Sequence, residues 1–495
     1  MSALVAADAD RVQDLIFRSS RLREVTGGSF ALEQFWSGAR ELAKNRGGQA
    51  LVSAGGTFRA RFEDAAAAES FARDLQDLYA LRIGGLLTTA IATGGGSDGE
   101  LLNHAAARIG VEKMRGDPPA ASSHFPYLQP CASCARDLAS EQVRGPGPGE
   151  SADLCRFCAE RQGYRDAFRE RFLENLRCAS GSPDRERRQR LQSLSEVPKD
   201  ANEVGRYDRR ARVAYLLADG NGFGGFFRDA ARSGDIELYT NLSETVFLAG
   251  SEAIAAATVR LVGRLSRMWG DAVPVLPLIT GGDDIFALLP APHALEFARD
   301  FVQAFVARMR EARFIGHRGV VPSVSCALVF CKATFPYRFA HDAGEDALRE
   351  AKRVSRDHAG VSLLRAVELR GTVGAGPPGP ADEYGVFAVG GRDGTPSPLL
   401  DVETLMDVRA ALAGMRGKRR HQIEALYAAE DRGSVAWEKR RERVFERMED
   451  GARVQDELGR LETGPKDGGR SAAVDLLHLW DYLEGAATPA LEAAP

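Results

Sequence analysis

The chain has 495 residues, 44% of them hydrophobic, and a formal charge of −4. That length supports two to four domains with a sizeable core, and that charge does not by itself mark a nucleic-acid binder. No stretch approaches 18 uninterrupted apolar residues and the N-terminus lacks a basic segment, so neither a membrane span nor a secretory signal is expected. Seven cysteines, four of them in Cys-x-x-Cys pairs, suit a reducing cytoplasm and a metal better than a disulfide framework.

In chain order, residues 3–6 form an apolar run that ends at Asp8, followed by a helical pattern carrying Val12, Leu15 and Ile16. A second helix is predicted to open near residue 28, in GlySerPheAlaLeuGluGlnPheTrp. Residues 50–62 read as strand, Gly55–Gly56 corner, strand; a helix over about 64–80 and a strand over about 83–92 complete the series. Residues 213–330 repeat that order: a strand carrying Asp219, a long helix over about 236–268, a second Gly-Gly hairpin, a helix over about 293–313, and a closing strand. The repetition predicts a duplicated α+β domain, each copy an antiparallel sheet covered by helices on one face.

Between the copies lie Cys131 and Cys134 and, after 20 intervening residues, Cys155 and Cys158. Paired knuckles at this spacing predict a tetrahedral Zn²⁺ site that is structural, since four thiolates leave no position for water. Cys178, Cys326 and Cys331 are expected to be small buried apolar residues. From Arg156 to Arg212 there are 15 Lys/Arg against 10 Asp/Glu, and the run at 185–190 reads as a solvated helix or connection. Residues 371–398, rich in Gly and Pro, read as a linker; 401–462 and 471–484 read as helical, with Trp480 as a packing residue. His341–Asp342 is an isolated pair and not a hydrolase metal site.

The chemistry concentrates in residues 275–290. Two apolar runs, Val275–Ile279 and Ile285–Leu289, flank Gly281, Gly282, Asp283 and Asp284. Glycine permits a sharp turn and close approach of an anion, while the two carboxylates sit at the strand tip where apolar packing does not account for them. Paired carboxylates are hard oxygen ligands suited to Mg²⁺ or Mn²⁺, and Asp219 supplies the third acid that two-metal phosphoryl transfer needs. The first copy has Thr57 and Phe58 where the second has its aspartates. One copy is equipped for metal; the other is not.

On these residues the second copy resembles the GGDD palm of the large subunit of type III CRISPR effector complexes, a family distantly related to diguanylate cyclases. The matching pieces are 219–224, 281–284, 323–330 and 343–352, and the first copy is similar to that subunit's other palm through 8–17, 27–30 and 53–58. The resemblance implies two ferredoxin-like palm domains (1–120 and 201–370), a zinc-binding element and helical connection (121–200), a linker (371–400) and a C-terminal helical domain (401–495). It covers roughly residues 1–365. Two departures stand out: the family's N-terminal His-Asp nuclease domain is not expected, and Asn221 replaces the usual second acid of the first strand.

The implied activity is synthesis of cyclic oligonucleotides, most often cyclic oligoadenylate from ATP, as second messengers of antiviral defence. Asp219, Asp283 and Asp284 would hold Mg²⁺ or Mn²⁺; backbone N–H groups of Gly220, Asn221, Gly222, Phe223 and Gly224 would cradle the triphosphate beside Gly281 and Gly282; Lys352 would neutralise phosphate charge. Implied partners are ATP or another NTP, guide and target RNA, and other subunits of a cytoplasmic effector complex; no membrane is expected, and a homo-oligomer is compatible. Other readings are a stand-alone cyclase making a cyclic mononucleotide or dinucleotide, and a catalytically silent scaffold or sensor.

Overall fold

The computed structural model describes residues 2–19, 21–54, 56–94, 97–115, 128–144, 151–178, 189, 191–265, 271–311, 321–370, 382–389, 399–462 and 471–483. Gly55, nearly all of the basic run 185–190, and residues 371–381 and 390–398 of the expected linker lie outside them.

The first unit comprises β1 (Ala3–Ala9), α1 (Val12–Ile16), α2 (Leu22–Asn45), β2 (Gly48–Ala54), β3 (Thr57–Phe62), α3 (Ala65–Arg82) and β4 (Leu87–Thr93), followed by α4 (Asp98–Arg115). Its antiparallel sheet has the order β2-β3-β1-β4. Asp64 caps α3 by accepting from the Ala67 N–H at 3.1 Å, which sets where that helix starts. The expectation of helices on one face fails here. Ala3, Val5 and Ala7 pack with Phe71 and Leu75 beneath α2 and α3, while Leu4 and Ala6 pack with Leu101, Leu102 and Ala105 of α4. The reason is in β1 itself: its apolar run does not alternate with polar residues, so both faces must be covered.

The second helix opens at Leu22, not near residue 28, and Gly27 and Gly28 lie inside it. They answer to packing. A Cβ at Gly27 would stand 2.0 Å from the Arg161 carbonyl oxygen, so these glycines let a later helix press against α2. That helix is α5 (Arg156–Cys178), which follows the hairpin β5 (Glu141–Arg144) and β6 (Ser151–Leu154). Cys178, expected to be buried, is exposed because it ends α5; Cys326 and Cys331 are buried as expected.

After α6 (Ala201–Gly205) comes the second unit: β7 (Arg212–Gly220), α7 (Phe223–Ser233), α8 (Ile236–Arg264), β8 (Leu276–Gly281), β9 (Asp284–Pro290), α9 (Ala294–Arg310), β10 (Val324–Lys332), α10 (Tyr337–Ser355), β11 (Ser362–Glu368) and β12 (Asp382–Val389). The sheet order is β12-β11-β10-β7-β9-β8, so its last four strands repeat the ferredoxin-like order of the first unit. β11 runs parallel to β10, and β12 pairs antiparallel with β11. The stretch 371–400 is thus more than a linker: Tyr384 and Phe387 of β12 are buried in the main core.

By length and composition α8 is apolar enough to cross a membrane, yet most of its apolar window is buried. It packs against α9 and against β2 of the other unit, and Ile236 and Tyr239 join the cluster around Leu4 and Ala6. The two units therefore share buried surface. The C-terminal helices α11 (Val402–Ala411), α12 (Gly417–Tyr427), α13 (Val435–Glu446), α14 (Gly451–Glu462) and α15 (Ala472–His478) end in a turn that anchors them to the second unit. There Tyr482 stacks on Phe330 at 4.0 Å, Asp481 pairs with Arg210 and Arg420, and Trp480 is buried under the guanidinium of Arg409.

Candidate active site at the acidic hairpin

β7 is buried from Val213 to Ala218 and emerges at Asp219. Its register with β9 pairs Ala218 with Ile285, so one further step brings Asp219 and Asp284 to the same end of the sheet. β8 and β9 join through a tight turn at Gly282 and Asp283, closed by the Gly281–Asp284 pair, with φ +70° at Gly282. That sign of φ favours glycine. Helix α8 touches the turn from behind: a Cβ at Gly250 would stand 2.1 Å from the Gly282 carbonyl oxygen. Gly220 makes similar room, since a Cβ there would lie 2.9 Å from Asp283 Oδ2 and 2.1 Å from the Phe223 ring.

The loop after β7 divides its duties. Asn221 is held in place: its backbone N–H donates to the Ser323 carbonyl at 2.8 Å, its Nδ2 to Ser323 Oγ at 3.0 Å, and its Oδ1 accepts from Ser325 Oγ at 2.8 Å. Phe223 buries its ring against Phe226 and Phe305, so what it offers a ligand is its backbone N–H. Gly222 (φ +72°) and Gly224 are exposed at the N-terminus of α7, which no described side chain caps. Unpaired N–H groups there are oriented to receive an anion.

Lys352, near the end of α10, forms an ion pair with Asp219, each side chain about one-third exposed. Glu345, two turns earlier on the same helix, adds a fourth carboxylate that sequence reasoning missed. Burial raises its pKa, followed by the charge of Asp219. Its spacing from Lys352 places both on one helical face, the signal that was available in the sequence. Burial and then the Asp219 charge push the Asp283 carboxyl up to about 6. Burial, then Asp219, Asp283 and Glu345, push Asp284 up to about 7. These acids crowd one another at the sheet tip, where the Lys352 ammonium offsets part of the repulsion at Asp283, Asp284 and Glu345. Such a donor set fits a divalent cation, which would relieve the repulsion. Among the described residues the aspartates do not converge as tightly as the cysteine cluster, whose donor atoms all lie within 4.8 Å of one another, and Asp219 is turned toward Lys352.

The first unit keeps the frame and lacks the hairpin acids. Asp8, at the corresponding end of β1, bonds Arg59 at 2.8 Å, and Lys113 near the end of α4 lies 3.5 Å from it. Asp10 lies 3.6 Å from the same lysine and accepts from Thr88. An Asp at the end of the first strand facing a Lys on the helix after the fourth strand therefore occurs in both units. The registers set Thr57 where Asp284 stands and Gly56 where Asp283 stands, one residue earlier than the Thr57 and Phe58 expected from the spacing, and Phe58 is core.

Cys131, Cys134, Cys155 and Cys158 are all buried, with the Cys134 and Cys155 sulfurs 3.9 Å apart. The Ser133 N–H points at Cys131 Sγ at 3.4 Å. Thiols this close share protons: hydrogen bonding to Cys155 and Cys158 holds Cys134 well below the usual thiol range, and the same contact with Cys134 raises Cys155. Four convergent sulfurs with a backbone N–H donor fit Zn²⁺.

Residues 212–360 match the family model described as Cas10/Cmr2, second palm domain. No curated protein matches the chain. Among solved structures, the chain is similar to Csm1 in T. onnurineus (15% identity, TM-score 0.52, covering 98% of this chain and 70% of that one). It is also similar to a Csm1–Csm4 cassette in complex with cA4 (14% identity, TM-score 0.55, 98% and 70%) and to one in complex with AMPPNP (16%, 0.54, 98% and 70%). The chain has the Csm1 fold, and its residues 212–360 match the second palm domain of the Cas10/Cmr2 family.

Proposed function

We propose that the second palm joins nucleoside triphosphates into a cyclic oligonucleotide, cyclic oligoadenylate from ATP. The observation that carries this reading is the convergence of Asp219, Asp283, Asp284 and Lys352 at one sheet tip beside the uncapped N-terminus of α7. In the reaction a ribose 3′-oxygen bonds to the α-phosphorus of a second nucleotide as the bond to pyrophosphate breaks, and the hydroxyl proton is lost. Repetition, followed by attack of the last 3′-hydroxyl on the first α-phosphate, closes the ring.

Asp219, Asp283 and Asp284 would hold Mg²⁺ or Mn²⁺, which when bound lowers the cost of forming the 3′-alkoxide and of releasing pyrophosphate. The chain's own groups bind and orient. N–H groups at the start of α7 receive the triphosphate, Lys352 neutralises part of its charge once it leaves Asp219, and Asn221 fixes the loop that carries them. Similar Csm1–Csm4 structures, in complex with cA3, pppApA and ATP and as a subcomplex in the type III-A CRISPR-Csm interference complex, support both the nucleotide class and a place beside other subunits of such a complex. The four cysteines hold a structural Zn²⁺ in this reading.

The test is incubation with Mg²⁺ or Mn²⁺ and each labelled NTP, followed by mass spectrometry, for the wild type and the double variant Asp283→Ala with Asp284→Ala. Loss of product in the variant supports the assignment; unchanged product overturns it.

A further inference from the structure

The connection between α1 and α2 is held from three directions, and each of residues 17–19 answers to a different neighbour. The Phe17 ring enters the second palm, 4.0 Å from the His341 ring, 5.6 Å from Phe286 and 6.4 Å from Tyr337. Arg18, buried, pairs with Asp137 at 3.1 Å and lies 5.4 Å over Phe157, both flanking the cysteine knuckle. Ser19 reaches both ways. Its hydroxyl donates to Glu24 Oε2 at 2.6 Å, and the same oxygen accepts from the hydroxyl of Ser133, between Cys131 and Cys134. Its carbonyl accepts from the Tyr337 hydroxyl, and Arg338 donates to the carbonyls of Phe17 (2.8 Å) and Arg18 (3.0 Å).

Glu24 is fully buried, so this network cannot be loosened without stranding polar groups in the interior. Its far side meets the catalytic elements at two points. Phe286 is two residues along β9 from Asp284, and Tyr337 opens α10, whose other end, about 22 Å away at helical rise, carries Lys352.

We propose that residues 17–19 form a joint through which the cysteine knuckle sets the position of the acidic hairpin, with Phe17 as its positioning residue. A shift of Ser133 unseats Glu24 and Ser19, and the close-packed ring cluster passes the shift from Phe17 to Phe286 and α10. The consequence for activity rests on the proposed function; the mechanical coupling does not.

Two variants test it in the intact, zinc-loaded chain. Ser133→Ala keeps all four cysteines, and Phe17→Leu keeps an apolar side chain. Hydrogen exchange by mass spectrometry, with zinc content verified, should show amides of 281–289 exchanging faster by about tenfold in both variants, while 435–446 is unchanged. Ser133→Thr, which restores the hydroxyl, should return 281–289 to the wild-type rate. Faster exchange confined to 17–24 and 128–137, an equal rise throughout the chain, or no rescue by threonine overturns the joint. Exchange is read without nucleotide, so an inactive wild type would count against the proposed function and leave this result standing.

Discussion

Lys352 lies on Asp219 across the sheet tip, a cation on a carboxylate that emerges from a strand buried along the rest of its inner run. The contact joins the end of α10 to the end of β7, and it occupies the carboxylate proposed to hold the metal. The Lys113–Asp8 pair in the first unit has the same place in the fold, without the hairpin acids. The two units thus share a charge pair and differ in what surrounds it.

Lys352→Ala should separate two roles. Because the pair is about one-third exposed, its loss should cost the metal-free protein less than about 1 kcal/mol of stability, read by chemical unfolding. Its loss from the loaded site should lower kcat/KM for the nucleotide by about a hundredfold. An unchanged kcat/KM would remove Lys352 from phosphate binding.

The raised acids give a pH dependence with a definite sign. Asp283 and Asp284 titrate in the fold at about 6 and about 7, above the range they have when unfolded. The native state therefore holds protons that the unfolded chain has released, and metal-free stability falls as pH rises from about 4 to about 7. Unfolding by urea at pH 5 and pH 8 should show this loss, and Asp283→Asn with Asp284→Asn should reduce it. A slope unaffected by the double variant would assign the effect elsewhere.

Gly250→Ala tests the backing of the hairpin at a distance from its carboxylates. The added Cβ would meet the Gly282 carbonyl at 2.1 Å, and backbone must move. A loss of about 1–3 kcal/mol is expected, with weaker Mn²⁺ binding at the acids by electron paramagnetic resonance. Wild-type stability and Mn²⁺ affinity would show that α8 does not brace the turn.

Chelation of zinc should unfold the knuckle before it touches the chemistry, because the binding energy of such a site is folding energy. Intact exchange protection over 131–158 after verified zinc loss would contradict a structural role.

Much of the site was legible because its signals are local. The Gly-Gly-Asp-Asp turn and each Cys-x-x-Cys knuckle sit within four residues of sequence, the repeated strand–helix order is read one element at a time, and the family match over 212–360 falls on the copy that carries the acids. What escaped notice depends on distant partners. The Gly27–Gly28 pair reads as a helix start until Arg161 is seen against it, and β12 is hidden within Gly/Pro-rich flanks because its pairing partner, β11, defines it. Glu345 looks like any exposed helix acid until Asp219 is placed opposite. His341–Asp342 reads in the sequence as an isolated pair; what the sequence leaves hidden is that the His341 ring packs on Phe17 and Phe286, where burial lowers its pKa.

The most direct test of the central claim is mass spectrometry of the products formed from ATP with Mg²⁺ or Mn²⁺, comparing wild type with Asp283→Ala/Asp284→Ala. The account expects a cyclic 3′-linked adenylate from the wild type and none from the variant. The same product in equal amount from both would contradict it.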